Sequence, residues 1–449
     1  MTAPAMVQGT RTDRAAQTVR ELVDLGPRMG GTPSGDRSVA YLLARFKAMG
    51  LPSRTILEKE HLVHWETSWN LSATLSAFED LPVETFHLQR AWPYGFSPAA
   101  VGEAEIGLGA ADGMVGLFSN FHTPRRKGPA LTLALVDGFN TTEGDWPKLR
   151  PLRSSARNRY PVFGISNASG KRLRQGLAQG RSVRLKYKLE ATIEKRKSQS
   201  VEAIIEAPSD AAPGFFLVCA HGDSDAGGPG ANDNASGVAI VLEMAHSWKT
   251  AIDQGLCEPP ARQVRFVIWG TEIKSTREYL NRYLADPESA KAHPILGVLN
   301  FDQAGFGAGA EQLNVEPDDL ASNTAFVRMA SAILNEHKDT EGYPKRWATN
   351  KSLGGTDSYV FSSSKLFRQG GLPSVTLFTS AWDKPEEHAR TQGMPGESWR
   401  DRNKVSVDFD PYYHSAGDLP EFTTDREPHN MVWCARVGLS CVARFLDGL

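Results

Sequence analysis

An α/β fold is predicted: a mostly parallel mixed sheet sandwiched by helices, with a β-rich insertion. Three observations predict it. From residue 201 onward, short apolar runs alternate with amphipathic segments, the pattern of a parallel sheet covered by helices. Between about 85 and 195 the texture changes to Gly-rich, short β-type runs. The chain has 449 residues, more than one ordinary core accommodates. The expected division is therefore 1–84 and 199–449 for one split domain and 85–198 for the insertion.

Residues from about 12 to 50 are expected to be helical. Leu22, Val23 and Leu25, then Val39, Leu42, Leu43, Phe46 and Met49 recur at helical spacing. Between them Gly30-Gly31-Thr32-Pro33-Ser34-Gly35 forms a loop with helix-start chemistry. A strand or two is expected over 52–75. In the insertion, 131–136, 162–165 and 183–187 read as strands. Beyond it, strands are expected at 201–206, 215–220, 263–269, 295–301 and 374–378. Helices are expected at 236–248, 276–284, 323–337 and about 428–446.

Hydrophobic residues make up 40% and charged residues 23%, and the formal net charge is −2. No global field marks nucleic acid or an anionic membrane as a partner. The basic runs Arg125-Arg126-Lys127 and Lys195-Arg196-Lys197 are short and read as solvated faces. No window holds 18 uninterrupted apolar residues, so no membrane span is expected. The first residues lack an apolar signal core. Cys219, Cys257, Cys434 and Cys441 show no CxxC spacing, so a reduced cytoplasmic setting is the expectation.

The chemistry concentrates at strand ends. In open α/β sheets ligands bind beyond the carboxyl ends of the strands. There stand His221 and Asp223, then Asp233 in the Gly-rich loop of His221-Gly222-Asp223-Ser224-Asp225-Ala226-Gly227-Gly228-Pro229-Gly230-Ala231-Asn232-Asp233-Asn234-Ala235-Ser236-Gly237. Glu272, Asp302, Asp357 and His414 follow other runs. So many carboxylates at one edge repel unless a cation compensates them. Two His with several carboxylates suit Zn²⁺ or a similar divalent ion. Such an ion lowers the pKa of water to about 7, and a nearby Glu can carry the proton to a leaving amine. That chemistry hydrolyses amides.

These motifs resemble the co-catalytic zinc aminopeptidase family, with relatives among glutamate carboxypeptidase, the transferrin receptor ectodomain and glutaminyl cyclase. The resemblance covers about 20–50 and 200–449 and implies a zinc-exopeptidase-like sheet. The insertion resembles the protease-associated (PA) domain, with Phe163-Gly164-Ile165-Ser166 and Gly170 to Val183 at its usual ending. By this resemblance His221 binds a first metal with Asp223 behind it. Asp233 of Gly230-Ala231-Asn232-Asp233-Asn234-Ala235-Ser236-Gly237 bridges two metals. Asp302 of Asn300-Phe301-Asp302 completes the first site, and His414 of Tyr413-His414-Ser415-Ala416-Gly417-Asp418 binds the second metal.

One position departs from the pattern. The family reads Trp-x-x-Glu-Glu-x-Gly-Leu-x-Gly-Ser, with the first Glu as general base and the second as ligand. Here the text is Trp269-Gly270-Thr271-Glu272-Ile273-Lys274-Ser275-Thr276. Counted from Trp269, Glu272 is the base and Ile273 replaces the ligand. With the deletion placed elsewhere, Glu272 is the ligand. Glu278, on the helix beyond, is a further carboxylate to consider.

Each residue also has an ordinary explanation. His221 could be a core histidine, Asp233 a helix cap, Asp302 a strand-end cap and His414 a surface loop residue. Asn234 and Ser236 can cap the helix, which leaves Asp233 over. Asp418 reads as a cap or structural partner, and Asp357 as support near a substrate site. Cys219 reads as core, Phe378 and Trp382 as pocket or core, and Gly307-Ala308-Gly309-Ala310 as too generic for a phosphate loop. The expectation is a metal-dependent hydrolase of peptide or small amide C–N bonds, most simply an aminopeptidase-like exopeptidase. Glu272 and Asp223 serve catalysis, and His221, Asp233, Asp302 and His414 hold one or two ions, zinc before manganese or cobalt. An amidase or deaminase on a non-peptide compound, and a non-catalytic interaction module, are the alternatives. A homodimer is left open.

Overall fold

The computed structural model describes residues 3–109, 111–119, 131–152, 158–224, 227–307, 312–349, 351, 355–362, 371–381 and 408–448. Arg125-Arg126-Lys127, Ala308 to Ala310 and Trp382 lie outside them. The helices among the described residues are α1 (Ala3–Gln8), α2 (Thr12–Asp24), α3 (Pro33–Ala48), α4 (Asn167–Ala178), α5 (Ser236–Asp253), α6 (Lys274–Leu284), α7 (Pro287–Ala292), α8 (Thr324–His337), α9 (Ser358–Phe361) and α10 (His429–Asp447). The strands are β1 (Ser53–Leu75), β2 (Glu84–His87), β3 (Trp92–Pro93), β4 (Ala100–Leu108), β5 (Val115–Phe118), β6 (Leu133–Val136), β7 (Val162–Gly164), β8 (Val183–Ile205), β9 (Phe215–His221), β10 (Gln263–Trp269), β11 (Ile295–Phe301), β12 (Gln312–Glu316), β13 (Arg346–Thr349), β14 (Ser374–Phe378), β15 (Ser380–Ala381) and β16 (Asp408–Phe409).

Hydrogen bonds link the strands in the order β13-β12-β14-β11-β9-β10-β8-β4-β5-β6-β7-β3, with β1 pairing β8 and β2 pairing β1. β10, β9, β11 and β14 run parallel. β8 lies antiparallel to β10, and β12 antiparallel to β14. β9 and β14 are buried along their whole length, as continuous apolar runs covered on both faces should be. On one face, α1, α2, α3, α5, α8 and α10 close a core around Val241, Trp248, Phe216 and Phe326. α5 is apolar nearly all round and buried to match. On the other face Val267, Trp269, Leu280 and Phe361 form a smaller core under α6 and α9.

The β-rich region has its own cores. Leu71, Leu75, Leu117, Leu135, Phe163 and Leu185 make one. Tyr94, Val136, Leu152 and Val162 make a second. Leu71 and Leu75 precede residue 85, so the expected 84/85 division cuts inside this unit. The cause is the β1–β8 ribbon. Its register runs from Ser53↔Ala203 to Leu75↔Val183, with irregularities at Leu57/Glu60 and Glu66/Ser68. One end pairs with β10 and the other with β4, so the same two strands serve both units. Residues 52–75, expected as a strand or two, form this one long strand.

α4 was not anticipated in the β-rich region. Ser166 accepts the Ser169 N–H as its cap, and Leu173 fills the underlying core. β12 and β13 were also unanticipated. They are short strands at the sheet edge whose local pattern is too brief to separate from loop. The four cysteines are free thiols. No helix among the described residues is long and apolar enough to cross a membrane.

Candidate metal centre

Parallel register brings the strand ends together. Trp269 sits opposite His221, and Asn300 opposite Cys219. His221 therefore ends β9 beside the turn that carries Glu272 after β10. Asp302 follows β11, and its N–H donates to Leu377 O of β14 at 3.4 Å. Asp233 comes from the segment Ala231–Ala235, whose backbone leaves helical geometry at Asp233 and Asn234. The free N–H at the start of the helix is met by a neighbour: Asn234 Oδ1 accepts the Gly237 N–H at 3.0 Å, while Ser236 Oγ donates to Asn232 O at 2.7 Å. The Asp233 carboxylate is left to face His221 and His414. Gly237 lets α5 begin against β11, since a Cβ there would lie 2.4 Å from Phe301 O.

His221, Asp233 and Asp302 are buried and offer ligand atoms within 4.8 Å of one another. His221 Nε2 lies 3.3 Å from Asp233 Oδ1 and 3.6 Å from Asp302 Oδ1. Neither His221 Nε2 nor Asp302 Oδ1 has a hydrogen-bond partner. Orphaned buried polar atoms are rare and call for an ion, a water or a strained role. On the opposite edge, His221 Nδ1 is 3.1 Å from Asp223 Oδ1. A proton on Nδ1 facing that carboxylate leaves the Nε2 lone pair for a ligand, the usual carboxylate–histidine arrangement. Asp223 Oδ1 also accepts the Glu272 N–H at 2.9 Å, so it orients both. His414 Nε2 stands 3.1 Å from Asp233 Oδ2, on the far side of the Asp233 carboxylate.

Burial and neighbouring charge together set the direction of each pKa. Burial pulls the His221 imidazole down, but Glu272, Asp223, Asp233 and Asp302 outweigh it and raise the pKa well above the usual histidine range. Burial resists ionisation of Asp233, yet His221 and His414 hold it below the usual carboxylate range. Burial drives Glu272 well above that range; His221 opposes the rise, and Asp302, Asp357 and Asp233 add to it. The excess of carboxylates over histidines is what a divalent cation compensates.

Glu272 is not among the clustered ligand atoms, and Ile273 points no carboxylate at them. Glu278 is turned away: its carboxylate accepts the Lys59 N–H at 2.9 Å and pairs with Arg282. Asp357 lies beneath the turn instead. It accepts the Ile273 N–H at 2.7 Å and the Thr276 hydroxyl at 2.9 Å, holding Ile273 at φ 58°. Burial raises Asp357 to about 7. Cys219 and Phe378 are core residues.

Three supports were not singled out in the sequence, or only in outline. Asp418 accepts the backbone N–H of Asn232 at 2.8 Å and of Asp233 at 3.0 Å. Asp410 accepts from Asn232 Nδ2 at 2.8 Å and from Tyr412 N at 2.7 Å. Fully buried Arg28 donates to Pro229 O at 2.8 Å and Gly230 O at 2.6 Å, binding the loop ahead of Asp233. Burial lowers its pKa to about 10, with Asp418, Asp223 and Asp233 opposing the fall. The only sequence signal for Arg28 is its place just before the Gly30-Gly31 loop.

Known proteins share both sequence and fold. The profile of Peptidase family M28 matches residues 202–436, more than half of the chain. The chain is 24% identical to Aminopeptidase YwaD of Bacillus subtilis over 426 residues, covering 92% of this chain and 80% of that protein. It is 32% identical to the probable lipoprotein aminopeptidase LpqL of Mycobacterium tuberculosis over 272 residues, 58% of this chain but only 47% of LpqL. Among solved structures, the zinc aminopeptidase BSAP of Bacillus subtilis aligns with a TM-score of 0.61 at 19% identity, covering 97% of this chain and 95% of that one. A Peptidase M28 precursor from Shewanella amazonensis also scores 0.61, at 18% identity and 99% and 96% coverage. By sequence match and fold, the chain belongs to peptidase family M28 and is a metallopeptidase-type hydrolase.

Proposed function

We propose that the chain is an aminopeptidase-like exopeptidase that uses divalent cations, zinc first, held by His221, Asp233, Asp302 and His414. The observation that carries this reading is the orphaned pair: His221 Nε2 and Asp302 Oδ1 are buried without partners beside Asp233. The donor set, one imidazole and two carboxylates, suits zinc, manganese or cobalt. The other Asp233 oxygen lies 3.1 Å from His414 Nε2, and these two groups would hold a second cation. Ile273 stands where a further carboxylate is expected, so the two positions are unequal, the second having the poorer ligand set. Zinc in the named relative BSAP supports the choice of metal. The relatives named as aminopeptidases leave the amidase, deaminase and interaction-module alternatives without favour.

A bound cation supplies Lewis acidity to the scissile carbonyl and acidifies water near it. The chain's own residues do the rest. Glu272, with its pKa raised, takes a proton from the attacking water and gives it to the departing amine nitrogen as the C–N bond breaks. Asp223 keeps the His221 proton on Nδ1 and, through the Glu272 N–H, holds the base in place. We read the inserted module as PA-like, with its limits inside β1 and β8.

A panel of aminoacyl anilides tests the reading. Turnover of several that disappears with a chelator and returns with zinc is expected. Silence across the panel from zinc-loaded, folded protein contradicts it.

A further inference from the structure

The inserted module grips the loop that carries His414. Leu149 N–H donates to His414 O at 2.7 Å, Ala416 N–H donates to Pro147 O at 3.1 Å, and Lys148 faces Ser415 in an antiparallel bridge. His414 itself has φ 52°, a left-handed conformation that a non-glycine residue keeps only where its surroundings impose it. Leu149 and Ala416 are buried against each other.

The gripping segment is anchored within its own module. Asp145 accepts the N–H groups of Asn167 at 2.7 Å and Ala168 at 3.0 Å, at the start of α4. Thr141 N–H donates to Trp146 O at 2.7 Å, and Trp146 N–H donates to Thr141 Oγ1 at 3.0 Å. The Trp146 indole fills the space that Gly417 leaves: a Cβ on Gly417 would lie 2.5 Å from Trp146 Cγ. Arg90 lies over the same indole at 4.6 Å, and Phe422 packs 5.9 Å from it. A continuous chain of contacts thus runs from α4 through Trp146 to the backbone of His414.

We propose that residues 145–149 of the inserted module are positioning residues for His414, so that this module sets the affinity of the second cation position. This rests on the reading of His414 as a ligand of that position. Supporting groups behind a ligand typically change metal affinity by about 10–100-fold when removed.

The test titrates the metal-free full-length chain with Zn²⁺ against a chromophoric chelator, giving two dissociation constants per variant alongside a thermal melt. Trp146→Ala and Gly417→Ala are expected to weaken the second constant about 10–100-fold and leave the first unchanged. Trp146→Phe is expected to recover most of the loss, and His414→Ala to remove the second constant altogether. If His414→Ala removes the second constant while Trp146→Ala and Gly417→Ala melt cooperatively with both constants at wild-type values, the positioning role is wrong. If both constants fall together in step with melting temperature, the role is merely structural and the proposal falls. If His414→Ala leaves both constants untouched, the ligand reading fails first and takes the proposal with it.

Discussion

Asp233 and Glu272 are both acidic, both in loops at strand ends, and pushed to opposite protonation behaviour. His221 and His414 flank Asp233 and hold it ionised. Glu272 feels mainly burial and other carboxylates and keeps its proton longer. On the proposed reading Asp233 is the ligand and Glu272 the base, roles that fit opposite environments of this kind. Glu272→Gln is expected to lower kcat by about 10²–10⁴ with cation content unchanged; loss of the ion in that variant would make Glu272 a ligand. Asp357 acts on the same turn through the Ile273 N–H and the Thr276 hydroxyl. Asp357→Ala frees a turn held in a left-handed conformation at a β-branched residue, a geometry costing about 1–3 kcal/mol. We expect kcat to fall by more than KM rises, and steady-state kinetics read this directly.

At the scale of elements, the loop between β9 and α5 depends on partners far away in sequence. Arg28, beyond α2, binds carbonyls at Pro229 and Gly230, and Asp418 binds the N–H groups of Asn232 and Asp233. Arg28→Met leaves those carbonyls and nearby carboxylates without their buried cation. Breaking a buried charged network costs about 3–5 kcal/mol, so denaturant melts of the metal-free variant should show a loss of that order. This is also where the sequence was least legible. His221, Asp223, Asp233, Asp302 and Glu272 stand in short motifs at strand ends, and periodicity placed β9, β10, β11, β14 and α5 around them. Arg28 and Asp410 have no such local mark, because their roles exist only once segments some 180 to 200 residues apart are brought together. α4 was hidden because its capping Ser166 follows a β-type run, and the module limits were hidden because β1 and β8 belong to both units.

For the whole molecule, the folded chain concentrates carboxylates around His221 that a divalent cation would compensate. Ligand binding to the folded state alone stabilises it by RT ln(1 + [L]/Kd), about 2.7 kcal/mol at a hundredfold excess over Kd. Chelation is therefore expected to lower the melting temperature of the wild type and to have little effect on Asp233→Ala. The metal-free chain should also respond to pH in a definite sense. Burial raises Asp357 to about 7 and Asp418 to about 8 in the folded state, above the ordinary carboxylate value. The neutral forms are favoured on folding, so the stability they contribute is full below the ordinary carboxylate range, declines as pH rises from there to about 7 for Asp357 and about 8 for Asp418, and is level above. Melting temperatures of metal-free protein should fall as pH rises from about 5 to about 8 and level off above, and added zinc should flatten the decline.

The most direct measurement is the zinc content and zinc affinity of purified wild type and Asp233→Ala, by elemental analysis and equilibrium dialysis. One tightly held ion and a second held more weakly are expected in the wild type, and neither in Asp233→Ala, with the fold retained by circular dichroism. Wild-type zinc content in folded Asp233→Ala would contradict it.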